Sequence, residues 1–284
     1  MRTLAALLIL ACPAQQGQVR DFVYKKTPQG ELKLFVHLPA DAKKGETRPA
    51  VIFFFGGGWT QGSVSQFTPQ AEHFAARGMV AVRADYRVES RHKTTPLECV
   101  EDAKSAVRWM RKNAAELGID PDRIVGSGGS AGGHLAACTG LTETGDAKDE
   151  DLAIPSRTNL LVLFNPVFDL TRIRVEKMPG PDKEAQAKSI SPIFFLKKDS
   201  PAAIEFFGTK DALLAQGREF LAKSKETGNA VDLYSAEGQG HGFFNKPPWT
   251  EATLQQADAF LVAHGYLKGE SGLKVSADAA LRKE

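Results

Sequence analysis

Six short apolar runs, each closed off by turn residues and separated from the next by a stretch of helical character, constrain this chain more than any other feature. They are Ala50–Phe55, Met79–Ala84, Arg123–Ser127, Leu160–Asn165, Ala203–Phe207 and Val231–Tyr234. The first lies between Pro49 and Gly56 and is continuously apolar rather than alternating, which predicts a strand buried on both faces. Helical stretches fill the intervals: Pro69–Arg77, a helix opening at Thr95-Pro96-Leu97-Glu98, Ala131–Leu141, Leu213–Lys225 and Thr250–His264. The second of these is the best marked, with a capping box, Pro at its first position, and Leu97, Val100, Ala103, Val107, Met110, Ala114 and Leu117 at spacings that build one buried stripe before Gly118. Strands alternating with helices in this way predict an α/β fold with a mostly parallel central sheet covered by helices on both faces. Asp21–Tyr24 and Leu32–Leu38, turning at Pro28-Gln29-Gly30, predict an antiparallel entry pair.

Composition narrows the class further. Of 284 residues, 42% are hydrophobic and 25% charged, which fits a globular protein and excludes a disordered or fibrous one. Lys and Arg number 36 against 34 Asp and Glu, scattered along the chain with no basic block, so nucleic acid is not expected as a partner. No run reaches the ~18–20 apolar residues of a stable membrane span. Residues 1–14 are expected to be an export signal, with Arg2 before the apolar run Leu4–Ala11 and a small-x-small site ending at Ala14. Two other readings stand beside it: Cys12 as a lipidated first residue, or a buried N-terminal strand. Residues 20–268 are expected to form one α/β domain, and the polar segment 269–284 a flexible tail. Two stretches break the rhythm and predict loop or cap insertions over the carboxyl ends of strands: acidic Glu143–Arg157, expected to be a solvated face, and Thr171–Pro201 with four prolines. Cys99 and Cys138 fall inside helical stretches and are expected to be small core residues.

The chemistry concentrates at Gly128-Gly129-Ser130-Ala131-Gly132, a G-x-S-x-G pattern between an expected buried strand and an expected helix. A strand turning abruptly into a helix forces its serine into a strained conformation and leaves no room for neighbouring side chains, which explains the glycines. The pattern alone is weak, and its strand–helix context gives it weight. A nucleophilic serine needs a base and the base an orienting carboxylate. His241, in a glycine-rich loop after the last apolar run, is placed on the same sheet edge. His134 rides the helix behind the serine and is expected to pack or face solvent; His92 is a minor candidate for a pocket wall. Asp211 follows Ala203–Phe207 and is the expected acid, with Asp169 as runner-up; an N-cap would also explain either. Phe55-Gly56-Gly57-Gly58-Trp59 follows an earlier strand, and Gly57 and Gly58, joined by Ala131, are the expected backbone donors to an oxyanion. Trp59 and Phe243 are candidate walls of the substrate pocket.

With these residues in place, the chain resembles α/β-hydrolases of the esterase branch that includes carboxylesterases, acetyl-xylan esterases and feruloyl-esterase-like proteins. The likeness runs from Leu32 to Leu267 and rests on FFFGGGW (Phe53–Trp59), ADYR (Ala84–Arg87), DAKSAVRWMR (Asp102–Arg111), GIDPDRI (Gly118–Ile124), GGSAGGHLA (Gly128–Ala136), GTKD (Gly208–Asp211) and GHGF (Gly240–Phe243). It implies Ser130 as nucleophile, Asp211 as acid, His241 as base and Gly57-Gly58 as the oxyanion loop, with no metal or organic cofactor. Phe55 stands where many relatives carry a histidine that braces this loop by hydrogen bonding; the backbone donors themselves do not depend on that residue. The implied reaction is hydrolysis of a small-molecule or carbohydrate ester through an acyl-enzyme. Short acyl groups are favoured because no long hydrophobic lid is visible, and deacetylation of a carbohydrate such as xylan fits export. An amidase or peptidase of the same fold, or a hydrolase-fold binding protein without catalysis, are the alternatives.

Overall fold

The computed structural model describes residues 17–284, so the expected export signal at residues 1–14, and Cys12 with it, lies outside the described residues. β1 (Val19–Thr27) and β2 (Gly30–His37) form the antiparallel entry pair. There follow β3 (Arg48–Phe54), α1 (Thr68–Ala76), β4 (Val80–Ala84), the short α2 (Glu89–His92), α3 (Pro96–Lys112), the short α4 (Ala114–Leu117) and β5 (Ile119–Gly129). The second half contains α5 (Ala131–Leu141), β6 (Leu160–Phe164), α6 (Lys183–Ser189), β7 (Ala202–Gly208), α7 (Leu214–Glu226), β8 (Val231–Ala236), α8 (Trp249–Ala263) and β9 (Leu281–Lys283).

The nine strands of the described residues join one sheet in the order β1-β2-β4-β3-β5-β6-β7-β8-β9. β4 through β8 in that order run parallel, and β1, β2 and β9 are antiparallel to their neighbours. The continuous apolarity of β3 follows from its position. Ala50, Ile52 and Phe54 face a core shared with Val100 and Val107 of α3 and Leu135 of α5, whereas Val51 and Phe53 face one shared with Phe74 of α1 and Leu261 of α8. Period-2 side chains feed two cores from one central strand, so neither face tolerates a polar residue. α3 starts as its sequence dictates. Thr95 accepts from the Leu97 N–H at 3.3 Å while the Glu98 carboxylate accepts from the Thr95 N–H at 2.8 Å, a cap worth about 1 kcal/mol.

Two expectations are corrected. The segment 269–284 is not a free tail over its whole length: β9 pairs antiparallel with β8, Ser235 opposite Arg282, and the Arg218 guanidinium donates to the Glu284 carboxylate at 2.7 and 2.9 Å. An open β8 edge would expose a row of unpaired N–H and C=O groups, and the three residues Leu281–Lys283 cover it. The acidic loop 143–157 is likewise more than a solvated face. Lys104 of α3 is only 1% exposed, and its ammonium reaches the Thr142 carbonyl at 2.9 Å and Asp146 at 3.2 Å. Arg108 binds both Asp146 and Glu150. Buried cations on α3 need these partners, and the loop supplies them.

Candidate active site

β5 ends at Gly129 and α5 begins at Ala131, leaving Ser130 to make the turn alone with φ 54° and ψ −119°. A non-glycine residue held there costs about 1–3 kcal/mol. The surroundings hold it: the Ser130 N–H donates to the Phe164 carbonyl at 2.9 Å, and the Ser130 carbonyl accepts from the His134 N–H at 2.9 Å. The turn is also as tight as its glycines imply, since a Cβ on Gly132 would overlap the carbonyl oxygens of Phe54 and Phe55.

His241 and Asp211 arrive on two loops that are stitched together. Beyond β7 and β8, the Lys210 N–H donates to the Gln239 carbonyl and the Gly238 N–H to the Thr209 hydroxyl, both at 2.8 Å. Asp211 is buried; its Oδ1 accepts from the Leu213 N–H at 2.9 Å, which leaves Oδ2 free to meet His241 Nδ1 at 2.8 Å. The other ring nitrogen, Nε2, lies 2.9 Å from Ser130 Oγ. An ionised carboxylate only accepts, so Nδ1 carries the proton and Nε2 is the acceptor for the serine hydroxyl. Asn165, at the end of β6 with φ 38°, steadies the histidine loop by accepting from the Gly242 N–H at 3.1 Å. Asp169, the runner-up acid, is engaged elsewhere, with the Thr171 N–H at 2.8 Å and Arg172 at 3.1 Å. His92 accepts from the Val88 N–H at 2.9 Å inside α2 and borders neither cavity described below.

The loop after β3 carries Gly57 with φ 128° and Gly58 with φ 63°; a Cβ on Gly57 would overlap the Gln61 carbonyl. Among the described residues, the N–H groups of Gly57, Gly58 and Ala131 donate to no protein acceptor. With Phe55 in place of a histidine, other residues brace the loop. The Phe55 ring stacks on Tyr86 at 4.1 Å, and the buried Tyr86 hydroxyl donates to the Phe55 carbonyl at 2.6 Å. Gln66 accepts from the Gly56 N–H at 2.7 Å and donates onward to Asn245 at 3.0 Å. Sequence reasoning missed Tyr86, Gln66 and Asn165 as positioning residues; the available signals were Tyr86 within the ADYR motif and Asn165-Pro166 directly after an apolar run.

Ser130 and His241 open into a cavity of about 650 Å3 bordered by Gly57, Gly58, Gln61, Asn245 and Phe244 among others. Neither candidate pocket wall reaches it, and both assignments are corrected. Trp59 is 3% exposed, turned inward by φ 60°, and its indole N–H donates to His134 Nδ1 at 3.2 Å. It borders a separate cavity of about 230 Å3 and anchors the end of the glycine loop. His134 Nε2 in turn lies 2.6 Å from the Ile190 carbonyl, and burial pulls the imidazole down to about 4, so it stays neutral. Phe243 is buried edge-on against Trp249 at 5.6 Å, and its neighbour Phe244 lines the cavity instead.

A serine on a strained strand-to-helix turn, with an acid and a histidine on the loops after the last two parallel strands, defines the α/β-hydrolase fold. Within that fold the chain belongs to the BD-FAE family, whose model matches residues 34–223. The chain is 30% identical over 226 residues to the esterase LipQ of Mycobacterium tuberculosis, covering 72% of this chain and 52% of LipQ. It spans about half the length of the first curated relatives it matches. Esterase 2 of Thermogutta terrifontis, solved phosphoramylated by tabun, superposes with a TM-score of 0.84 at 45% identity, covering 92% of this chain and 100% of that one. The same esterase solved with butyrate bound gives 0.82 at 45% identity, covering 90% and 98%.

Proposed function

We propose that this chain is a carboxylic ester hydrolase that works through an acyl-enzyme on Ser130. The observation that carries the reading is the unbroken hydrogen-bond chain Asp211–His241–Ser130 at 2.8 and 2.9 Å, opening beside the unpartnered N–H groups of the glycine loop. Ser130 Oγ attacks the ester carbonyl as His241 Nε2 takes its proton, and Asp211 holds the imidazole in the tautomer that allows this. Negative charge then develops on the carbonyl oxygen, where Gly57, Gly58 and Ala131 offer donors, each worth roughly 3–4 kcal/mol in such sites. The protonated imidazole gives its proton to the departing alcohol, and water activated by the same nitrogen releases the acid.

Short acyl groups belong to this reading. The cavity is polar at Gln61, Gln66 and Asn245, with Phe244 as the one large apolar side chain on its wall among the described residues; the similar esterase 2 has been solved with propionate and with butyrate bound. An acetylated carbohydrate such as xylan suits the polar lining, and export through residues 1–14 would bring the protein to such a substrate. The test is hydrolysis of p-nitrophenyl esters from acetyl to decanoyl, followed by acetate release from acetylated xylan. Turnover should fall steeply beyond butyryl and vanish in Ser130→Ala. Equal rates across all chain lengths would refute the short-acyl assignment, and full activity in Ser130→Ala the site itself.

A further inference from the structure

Among the described residues the Ser130 cavity is bordered by two cationic side chains, Arg174 and Lys177, and by no carboxylate. Both come from one tight turn after β6: Arg174 has φ 61°, and its carbonyl accepts from the Lys177 N–H at 2.9 Å, which sets the two cations on one wall. They are not equivalent. Lys177 is committed to Glu89 of α2 at 2.5 Å, and that bond holds the Glu89 carboxyl below its ordinary range. Among the described residues Arg174 has only Glu176 at 3.8 Å, an exposed contact of little strength. Its guanidinium instead lies against the glycine loop, with Nη2 3.8 Å from where a Cβ on Gly58 would sit. A half-exposed arginine with no substrate role could take many solvated rotamers; this one borders the reacting centre, and a planar guanidinium there is built to take a carboxylate through two parallel hydrogen bonds.

We infer that Arg174 is a specificity-determining residue that selects esters carrying a second, anionic group, a carboxylate on the alcohol portion. The inference rests on the ester-hydrolase reading and takes the acyl group as short and uncharged, so that the charge sits on the alcohol, as in the acyl esters of hydroxy acids or of acidic sugars. Lys177, neutralised by Glu89, supports the wall rather than competing for the anion.

The test compares 4-acetoxybenzoate with the neutral 4-acetoxybenzamide, each kcat/KM normalised to that ester's own rate of hydroxide hydrolysis. The wild type should prefer the carboxylate about fivefold, equivalent to ~1 kcal/mol and expressed in KM rather than kcat. The preference should shrink toward one in about 1 M NaCl, because an open ion pair is screened. Arg174→Gln should bring the ratio to about one, whereas Arg172→Gln should retain it. Arg172 carries the same charge but pairs with Glu219 and Asp169 and does not border the cavity. No preference in the wild type, a preference that survives Arg174→Gln, or one lost equally in Arg172→Gln would overturn the inference while leaving the ester-hydrolase reading intact. Failure of the wild type to turn over either ester would sink both.

Discussion

Gln66→Leu should disable the oxyanion loop without touching any residue of the Ser130–His241–Asp211 chain. Gly56 is buried and its N–H has the Gln66 side-chain oxygen as acceptor at 2.7 Å. Leucine fills similar space and accepts nothing. An unpaired buried donor costs about 1–3 kcal/mol, so the backbone at Gly56 has reason to rotate toward another acceptor. Gly57 and Gly58 follow at once and would be carried with it. Complete loss of one oxyanion donor costs ~100- to 1,000-fold in kcat; a displaced loop should cost less, about 10- to 100-fold, with a smaller change in KM. The melting temperature should fall by roughly 2–4 °C for each kcal/mol lost. Steady-state kinetics on p-nitrophenyl acetate, with a melting curve on the same preparation, reads both effects. A variant that melts lower yet keeps kcat within about twofold of wild type would refute the idea that this hydrogen bond positions the donors.

Other expectations follow from the same structure. Asp211→Asn should lower kcat by about 100- to 10,000-fold, because the wrong histidine tautomer is then favoured, while Asp169→Asn should change it by less than about tenfold; equal losses in the two variants would contradict the assignment. Glu205 is fully buried in β7 with neither carboxyl oxygen partnered among the described residues, and burial raises it well above its ordinary 4.5. The folded chain therefore keeps a proton that the unfolded chain releases. That contribution to stability is complete below about 4.5 and is lost as pH rises toward the folded-state value, at about 1.4 kcal/mol per pH unit. Glu205→Gln should flatten the fall of melting temperature as pH rises above about 4.5, and a slope as steep as the wild type's would count against it. Cys99 and Cys138 are free and buried, and burial raises both thiols. Peptide mapping after thiol alkylation should find neither labelled in the native protein and both labelled in denaturant.

The sheet was legible because its central strands are buried on both faces and so print an unbroken apolar run. β3, expected at Ala50–Phe55, is found at Arg48–Phe54, and α5 has the limits expected of it. β5 is longer than its apolar run because Ile119 already pairs with Arg48 through a bulge. β9 left no signal, since an edge strand of three residues with Leu281 as its one apolar side chain is too short to print a period, and its backbone pairing is reinforced by Lys283 to Asp232 at 2.7 Å. Glu205 sits inside a run read as apolar, and only the structure shows it without a partner. At the site, Ser130, His241 and Asp211 were legible because each follows a strand at the same sheet edge. Their support was not. Gln66 and Asn245 meet across 179 residues of sequence, a separation that leaves no local pattern. Which of the adjacent Phe243 and Phe244 lines the cavity depends on a single turn of 3-10 helix, and the inward turn of Trp59 on one positive φ; periodicity encodes neither.

The central claim is that Ser130 is the nucleophile, and covalent labelling tests it most directly. Intact-mass measurement after brief exposure to paraoxon should show one diethylphosphoryl adduct per chain, mapped to the peptide bearing Ser130. The adduct should be absent in Ser130→Ala and should form far more slowly in His241→Ala. An adduct on another residue, or Ser130→Ala labelled as fast as the wild type, would contradict the account.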